Sequence, residues 1–144
     1  MTAWTLTYDC KEPAVVAEFW KTALGHVDAP PPQGFASWEA WFVACDVPED
    51  EWDDGAALVD PAGVLPRLSF LKVPEPKTAK NRLHIDIRVA GEGPWEPAER
   101  ERLIRELWPR LEAAGATYVR EESYDGALGH VVMLDPEGNE FCVA

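Results

Sequence analysis

The ten residues DPEGNEFCVA, residues 135–144, decide the fold because they place a tight turn directly before a short apolar strand. A matching turn occurs earlier in the chain, where LVDPAG at residues 58–63 corresponds to MLDPEG at residues 133–138. Asp, Pro and Gly at these spacings are typical of turns. Because each turn precedes the last strand of its half, the match predicts an internal duplication of the chain.

The first half is predicted to fold as β-α-β-β-β. Apolar and polar residues alternate in AWTLTYDC, residues 3–10, which indicates a half-buried strand. A helix follows, with Pro13 at its first position and Gly25 just past its end. The other segments are predicted to be a loop, one bent strand or a hairpin, an acidic turn-rich segment and a strand, at residues 26–34, 35–47, 48–63 and 66–73.

The second half repeats this order after a polar linker at residues 74–81. RLHIDIRV at residues 82–89 alternates as a strand, and a loop is predicted at 91–96. A helix then begins at Pro97 and ends before Gly115, with Pro109 expected to kink or split it. Three more strands are predicted at residues 116–123, 129–134 and 140–143. We therefore predict an α+β domain over residues 1–144, built from βαβββ modules at 1–74 and 82–144.

The net charge of −13 limits the partners that the chain can bind. Phosphate groups would be repelled, so we expect neither a nucleic acid nor an anionic membrane surface as a partner. The three cysteines, Cys10, Cys45 and Cys142, form neither a zinc motif nor a disulfide framework. Since the first ten residues lack the pattern of a signal peptide, we expect a soluble cytoplasmic protein.

Three stretches of the sequence resemble one known family: FWKTALG, PRLSFLKVPEPKTAKNRLHIDI and DGALGHVVMLDPEGNEFCV. They are similar to the bacterial glyoxalase-like domain family of the vicinal oxygen chelate superfamily, which includes glyoxalase I, extradiol dioxygenases and bleomycin- or fosfomycin-resistance proteins. The resemblance implies two βαβββ modules that form a mixed sheet curled around a central cavity, with the helices outside. It also implies a small-molecule ligand and a homodimer.

In metal-using members of that superfamily, four inward-facing positions hold a divalent ion through His, Glu or Gln. The resemblance places these positions at Thr5, Ser69, His84 and Cys142. Of the four, His84 is the one family-typical ligand, so the usual metal site is expected to be degenerate. No cofactor is predicted with certainty, and a divalent metal at His84 is the alternative.

Polar residues on the same strand faces complete the predicted site. His84 is the candidate catalytic residue, with Asp86 or Glu140 as the acid beside it, because histidine exchanges protons near neutral pH. Residues two apart on a regular strand lie about 7 Å apart, so a direct hydrogen bond between His84 and Asp86 is not assured. The residues expected to contact ligand are Thr5, Thr7, Trp52, Arg67, Ser69, Arg88 and Cys142.

Three functions fit these residues. The first is a lyase- or isomerase-type reaction on a small oxygenated substrate, carried out by His84 and a nearby acid. The second resembles bleomycin resistance, in which an acidic groove lined by tryptophans sequesters a cationic aromatic ligand. The third is a dimeric module without catalytic activity. For Cys142 the alternatives are a nucleophile and a small buried residue.

Overall fold

The computed structural model describes residues 3–91 and 96–144 and divides the chain into two compact units, Met1–Pro76 and Lys77–Ala144. Each unit contains a mixed four-stranded sheet with a long helix, so the predicted α+β class and the two βαβββ modules are confirmed. Most of the loop predicted at 91–96 lies outside the described residues. Among the helices in the described ranges, none is long and apolar enough to cross a lipid bilayer.

The first unit contains four strands and two α-helices. The strands are β1 (Leu6–Cys10), β2 (Val27–Asp28), β3 (Gly55–Val59) and β4 (Leu68–Lys72), and the helices are α1 (Pro13–Leu24) and α2 (Trp38–Ala44). A 3-10 helix, Glu49–Glu51, lies between α2 and β3. The order across the sheet is β1-β4-β3-β2, with β1 and β4 parallel and the other pairs antiparallel.

The second unit repeats this topology. Its elements are β5 (Asp86–Ile87), α3 (Pro97–Ala113), β6 (Thr117–Tyr124), β7 (Ala127–Leu134) and β8 (Glu140–Val143). The order across the sheet is β5-β8-β7-β6, with β5 and β8 parallel. In both units the first and last strands are therefore parallel neighbours, and each sheet is open at two edges.

The two matched turns are similar in their hydrogen bonds as well as in their sequence. Asp60 accepts bonds from the backbone N–H groups of Ala62, Val64 and Leu65, each at 2.9 Å. Asp135 accepts bonds from the backbone N–H groups of Glu137 and Asn139, both at 2.9 Å. Each Asp follows the third strand of its unit and precedes the fourth. The repeated sequence is thus a repeated structure in which the Asp side chain holds the turn closed.

The long helices begin and end as their sequences predict. Pro13 opens α1, and Gly25 follows its end with φ of 72°, a left-handed conformation that glycine adopts without strain. The buried stripe of α1 contains Phe19 and Trp20, which pack against the sheet through Tyr8. In the other helix, Pro109 does not split α3, which continues to Ala113.

The second and third strands of the first unit are not where we predicted them. Residues 38–44 form the helix α2 rather than a bent strand or hairpin, because Ser37 caps it by accepting a bond from the Ala40 N–H at 3.1 Å. The strands are instead β2, within the segment predicted as a loop, and β3, within the acidic segment. The strands and α1 follow in the predicted order, but β2 and β3 lie elsewhere in the sequence than predicted, and α2 and the 3-10 helix between them were not predicted.

The strand predicted at residues 82–89 is reduced to Asp86–Ile87. Before it, the side chain of Asn81 takes over part of the pairing with β8. Asn81 Oδ1 accepts a bond from the backbone N–H of Glu140 at 2.9 Å, and Asn81 Nδ2 donates to the Glu140 carbonyl at 3.1 Å. His84 therefore lies between the Asn81 contact and β5, outside the assigned strand.

Candidate functional site

Six of the predicted site residues fall into two groups, each inside one unit. Trp52, Arg67 and Ser69 line a cavity in the first unit. His84, Asp86 and Cys142 form a side-chain cluster in the second. Thr5 and Thr7 are exposed, and Thr7 lies beside Ser69 in the β1–β4 ladder. Arg88 is exposed and lies outside both groups.

The cavity of the first unit has a volume of about 480 Å³, within the range of small-molecule sites. One wall is the short run Gly55, Ala56 and Ala57 of β3, next to Ser69 of β4. Ala57 and Ser69 are ladder partners, and they alternate with the buried Leu58, Leu68 and Phe70. Because the wall carries only small side chains, it leaves open space that larger residues would fill.

Another part of the lining is aromatic. Trp38 and Phe42 come from α2, and Trp52 follows the 3-10 helix. The rings of Phe42 and Trp52 are stacked with centroids 5.6 Å apart, and those of Trp38 and Phe42 are tilted at 6.0 Å. The indole N–H groups donate to backbone carbonyls, Trp38 to Ala29 at 2.9 Å and Trp52 to Val47 at 3.1 Å. These bonds fix the rings while leaving them half-buried.

Acidic side chains are also part of the lining of this cavity. It contains four carboxylates, those of Asp28, Glu39, Glu51 and Asp53, and one guanidinium, that of Arg67. Hydrogen bonding lowers the pKa of Glu39, through its own backbone N–H first and then through Ser37. The Asp28 carboxylate is paired with Lys21 at 3.0 Å. The lining therefore keeps an excess of negative charge at neutral pH.

The cluster of the second unit lies where the parallel strands β5 and β8 pair. Asp86 and Cys142 are ladder partners, as Thr7 and Ser69 are in the first unit. His84 Nε2 lies 3.3 Å from Asp86 Oδ1, and one ligand atom from each of the three side chains lies within 4.8 Å of the others. His84 lies two residues before Asp86, the first residue of β5, and its side chain reaches Asp86 although residues two apart on a strand face are about 7 Å apart along the backbone.

The environment of Cys142 favours the interpretation as a buried thiol over that as a nucleophile. Burial first, and then the negative charge and hydrogen bond of Asp86, raise the pKa of Cys142 to about 11. The thiolate is the nucleophilic form, and it is scarce at neutral pH under these conditions.

Glu140 is occupied by a partner that sequence analysis did not assign to it. Lys80 Nζ donates to Glu140 Oε1 at 2.7 Å, and this bond is the main cause that lowers the pKa of Glu140. A carboxylate held in its charged form is a weak proton acceptor, so this pairing does not favour Glu140 as the acid or base beside His84. Together with Asn81, the pair fastens the segment before β5 to the start of β8.

The acidic lining of the cavity was missed from the sequence. Glu51 and Asp53 were predicted to belong to an acidic turn-rich segment and Glu39 to a bent strand or hairpin, whereas all three line the cavity with Trp52. The signal that could have found the cavity is Ser37 followed by aromatic residues at helical spacing, which marks α2.

Comparisons with known proteins agree with this topology. The model of the glyoxalase-like domain matches residues 5–144. The chain belongs to the glyoxalase-like domain family. No curated protein matches the sequence significantly.

Solved structures of the family share the fold at low sequence identity. An enzyme of the glyoxalase/bleomycin resistance protein/dioxygenase family from Burkholderia phytofirmans has a TM-score of 0.61 and 14% identity, over 96% of this chain and 94% of that one. The fosfomycin resistance protein FosX from Mesorhizobium loti has a TM-score of 0.59 and 8% identity, over 99% and 89%. A mutant of FosX from Listeria monocytogenes, complexed with Mn(II) and a dihydroxypropylphosphonic acid, has a TM-score of 0.58 and 12% identity, over 99% and 90%.

The donor atoms in this member of the family do not suit an ion such as Mn(II). Manganese prefers carboxylate, carbonyl and water oxygens, whereas His84, Asp86 and Cys142 offer nitrogen, oxygen and sulfur. In the first unit, the corresponding ladder partners Thr7 and Ser69 offer only neutral hydroxyl groups. A manganese-dependent reaction of the FosX kind is therefore not inferred for this chain.

Proposed function

We propose that this protein binds a small, planar, cationic ligand in the cavity of its first unit. The observation that carries the proposal is the composition of that cavity, whose lining combines aromatic rings and four carboxylates with one arginine. A cation over an aromatic face gains about 0.5–2 kcal/mol, and the carboxylates of the lining add attraction at longer range. The same carboxylates would repel an anion.

The small residues of β3 support a planar ligand. A flat ring system needs about 3.5 Å of clearance, and the small side chains of the Gly55–Ala57 run leave room for one beside the aromatic residues of the lining. The indole N–H groups of Trp38 and Trp52 are bonded to backbone carbonyls, so the π-systems of these rings are what they offer a ligand. Arg67 and Ser69 of the lining supply polar groups that could orient it.

The test compares N-methylacridinium with acridine, which has the same shape and is uncharged at neutral pH. Tryptophan fluorescence is titrated with each compound, since Trp38 and Trp52 lie in the wall. We expect N-methylacridinium to bind more tightly and its affinity to fall as salt screens the carboxylates. Equal affinities for both compounds, or titrations without any quenching, would contradict the proposal.

A matched pair of variants locates the site. Glu51→Gln removes one carboxylate from the lining and is expected to weaken N-methylacridinium binding by about threefold to tenfold, or roughly 1 kcal/mol. Glu75→Gln removes an exposed carboxylate of the same unit that does not line the cavity, and is expected to leave the affinity unchanged. Equal losses in both variants would point to the net charge rather than to this cavity.

A second candidate function is favoured by the pairing of His84 with Asp86 at 3.3 Å. A carboxylate beside an imidazole orients the ring and stabilises its charged form, as in proton-transfer enzymes. The reaction would be the lyase- or isomerase-type conversion of a small oxygenated substrate. Turnover of hemithioacetals that is lost in His84→Gln and kept in His130→Gln would support it, and equal rates in both variants would contradict it.

A further inference from the structure

The lining of the first unit's cavity contains one positively charged side chain, that of Arg67, together with four carboxylates. Residues 1–76 contain 13 acidic side chains and only four basic ones, Lys11, Lys21, Arg67 and Lys72. A cation in such a unit is expected to pair with a carboxylate. Within the part of the chain that the structure describes, however, no carboxylate oxygen lies within 4.0 Å of the Arg67 guanidinium, and its side chain makes no hydrogen bond.

The lysines of the same unit do form ion pairs. Lys21 Nζ lies 3.0 Å from Asp28 Oδ2, and Lys72 Nζ lies 2.7 Å from Asp54 Oδ1. Arg67 is half-buried, so its guanidinium, with five N–H donors, has lost part of its water without gaining an acceptor from the described residues. These donors are therefore available to an acceptor that a ligand brings into the cavity.

The backbone fixes where Arg67 enters the cavity. Its carbonyl accepts a bond from the backbone N–H of Leu6 at 3.1 Å, which ties the start of β4 to β1. Leu68 and Phe70 are buried on one face of β4, and Arg67 and Ser69 alternate with them and line the cavity. Residues two apart on a strand face are about 7 Å apart, a distance that an extended arginine side chain covers. A guanidinium and a hydroxyl group can thus meet one ligand group.

The charge of the lining selects the kind of anion. A guanidinium presents two parallel N–H groups that match the two oxygens of a carboxylate. A phosphate group would bring nearly two negative charges into a cavity that already contains four carboxylates, whereas a carboxylate brings one. The repulsion is smaller for the carboxylate, so this group fits the lining better.

We propose that the ligand of this cavity is a planar zwitterion, a cationic ring system with one carboxylate substituent that pairs with Arg67. The inference rests on the proposed function, because the ring cation is bound by the aromatic rings and carboxylates described above. It adds the second charge of the ligand and the residue that recognises it. Each charge of the ligand then meets the opposite charge in the lining.

The experiment compares two derivatives of N-methylacridinium that have the same shape and differ in charge. One has a carboxylate on the ring carbon opposite the nitrogen and is a zwitterion, and the other has a carboxamide there and is a cation. Tryptophan fluorescence of the full-length chain is titrated with each compound. We expect the zwitterion to bind about tenfold or more tightly than the carboxamide, since a hydrogen bond between two charged groups is among the strongest in proteins.

Variants of Arg67 separate its role from that of the rest of the lining. Arg67→Gln is expected to weaken binding of the zwitterion by about tenfold or more, and to keep or raise the affinity for the carboxamide, because a charge that repels the cation is gone. Arg67→Lys keeps the charge without the two parallel N–H groups and is expected to fall between the wild type and Arg67→Gln. Lys11→Gln removes an exposed positive charge outside the lining and is expected to leave the preference for the zwitterion unchanged.

The carboxamide keeps failure of this inference distinct from failure of the proposed function. If the carboxamide binds to the wild type and the zwitterion binds no more tightly, the cation site stands and the role of Arg67 is wrong. Equal losses of both compounds in Arg67→Gln and in Arg67→Lys would also overturn that role. If neither compound binds to the wild type, the proposed function is contradicted and this inference with it. An acridine carboxylate without the ring charge that binds as tightly as the zwitterion would show that the cation is not recognised.

Discussion

The aspartates of the two repeated turns show how a single side chain fixes a connection. The pKa of Asp60 is lowered from its ordinary value of 3.8 by bonds from the backbone of Leu65, Ala62 and Val64. Since these donors favour the charged form, folding is coupled to ionisation of this carboxyl group. The equivalent Asp135 closes the second turn through the same kind of bonds.

The lowered pKa of Asp60 therefore predicts that the free energy of unfolding depends on pH. A lowered pKa in the folded state adds stability above the unfolded pKa, and that stability is lost as the pH falls through the folded pKa. The free energy of unfolding is expected to be lower in Asp60→Asn at neutral pH, and the gap to the wild type is expected to narrow as the pH falls from the ordinary value of 3.8 through the lowered pKa of Asp60. Denaturant titrations at a series of acidic and neutral pH values measure the difference between the two proteins. A gap independent of pH would contradict the coupling.

Asn81 is a second residue whose side chain makes hydrogen bonds that a neighbouring strand's backbone would otherwise make. Asn81→Ala removes both bonds to the Glu140 backbone and is expected to lower the free energy of unfolding by about 1–3 kcal/mol. Arg82→Ala, at the exposed next position, is the control and is expected to cost less than about 0.5 kcal/mol. Similar losses in the two variants would mean that Asn81 has no special role.

At the scale of elements, the sequence predicted the helices and strands that have a clear hydrophobic period. The elements without such a period were not predicted. The strand β8 and the long helix α1 follow simple patterns with clear ends, and both were located within a residue or two. The strand β3 begins Gly-Ala-Ala, which has little strand preference and takes its structure from pairing with β4. Helix α2 has seven residues rich in aromatics, and over so short a run helix and strand patterns are hard to tell apart.

The cap of α2 links an element to the proposed ligand site. Ser37→Ala removes the bond to the Ala40 N–H and is expected to lower the free energy of unfolding by about 1 kcal/mol. Because α2 supplies Trp38 and Phe42 to the cavity, the affinity for N-methylacridinium should fall as well. Ser37→Asp keeps a capping oxygen and is the control. If both variants behave alike, the cap does not position the aromatic wall.

At the scale of the whole molecule, charge repulsion opposes folding. The chain carries 26 acidic and 13 basic residues, so its compact state concentrates negative charge. Exposed ion pairs such as Arg102–Glu99 add little each, about 0–1 kcal/mol. The net repulsion is therefore expected to dominate the response to salt.

Salt should consequently stabilise this protein. Raising the ionic strength from about 0.01 to 0.1 M shortens the Debye length from about 30 to 10 Å, and we expect the melting temperature to rise. A variant with Glu75→Gln and Glu112→Gln, at two exposed positions, carries less negative charge and should respond less. A melting temperature that falls with salt would show that the ion pairs outweigh the repulsion.

The homodimer implied by the family resemblance stays a prediction. Several large apolar side chains are exposed in a single chain, among them Val64 at 81% and Leu83 at 78%. Burial of such residues in a subunit interface would stabilise a dimer. Light scattering is expected to give twice the 16.0 kDa of one chain, and a monomer over the micromolar range would contradict it.

The sequence by itself determined the architecture, because hydrophobic periodicity and turn residues act locally and the duplicated DPAG and DPEG turns repeat them. It also placed Asp86 and Cys142 on strands that a parallel ladder brings together. Only the tertiary structure decided which atoms meet. The side chains of His84 and Asp86 lie 3.3 Å apart, and Glu39 lines the same cavity as Trp52 because residues 38–44 form the helix α2. Such contacts depend on where the backbone leaves regular geometry, which a periodic pattern does not record.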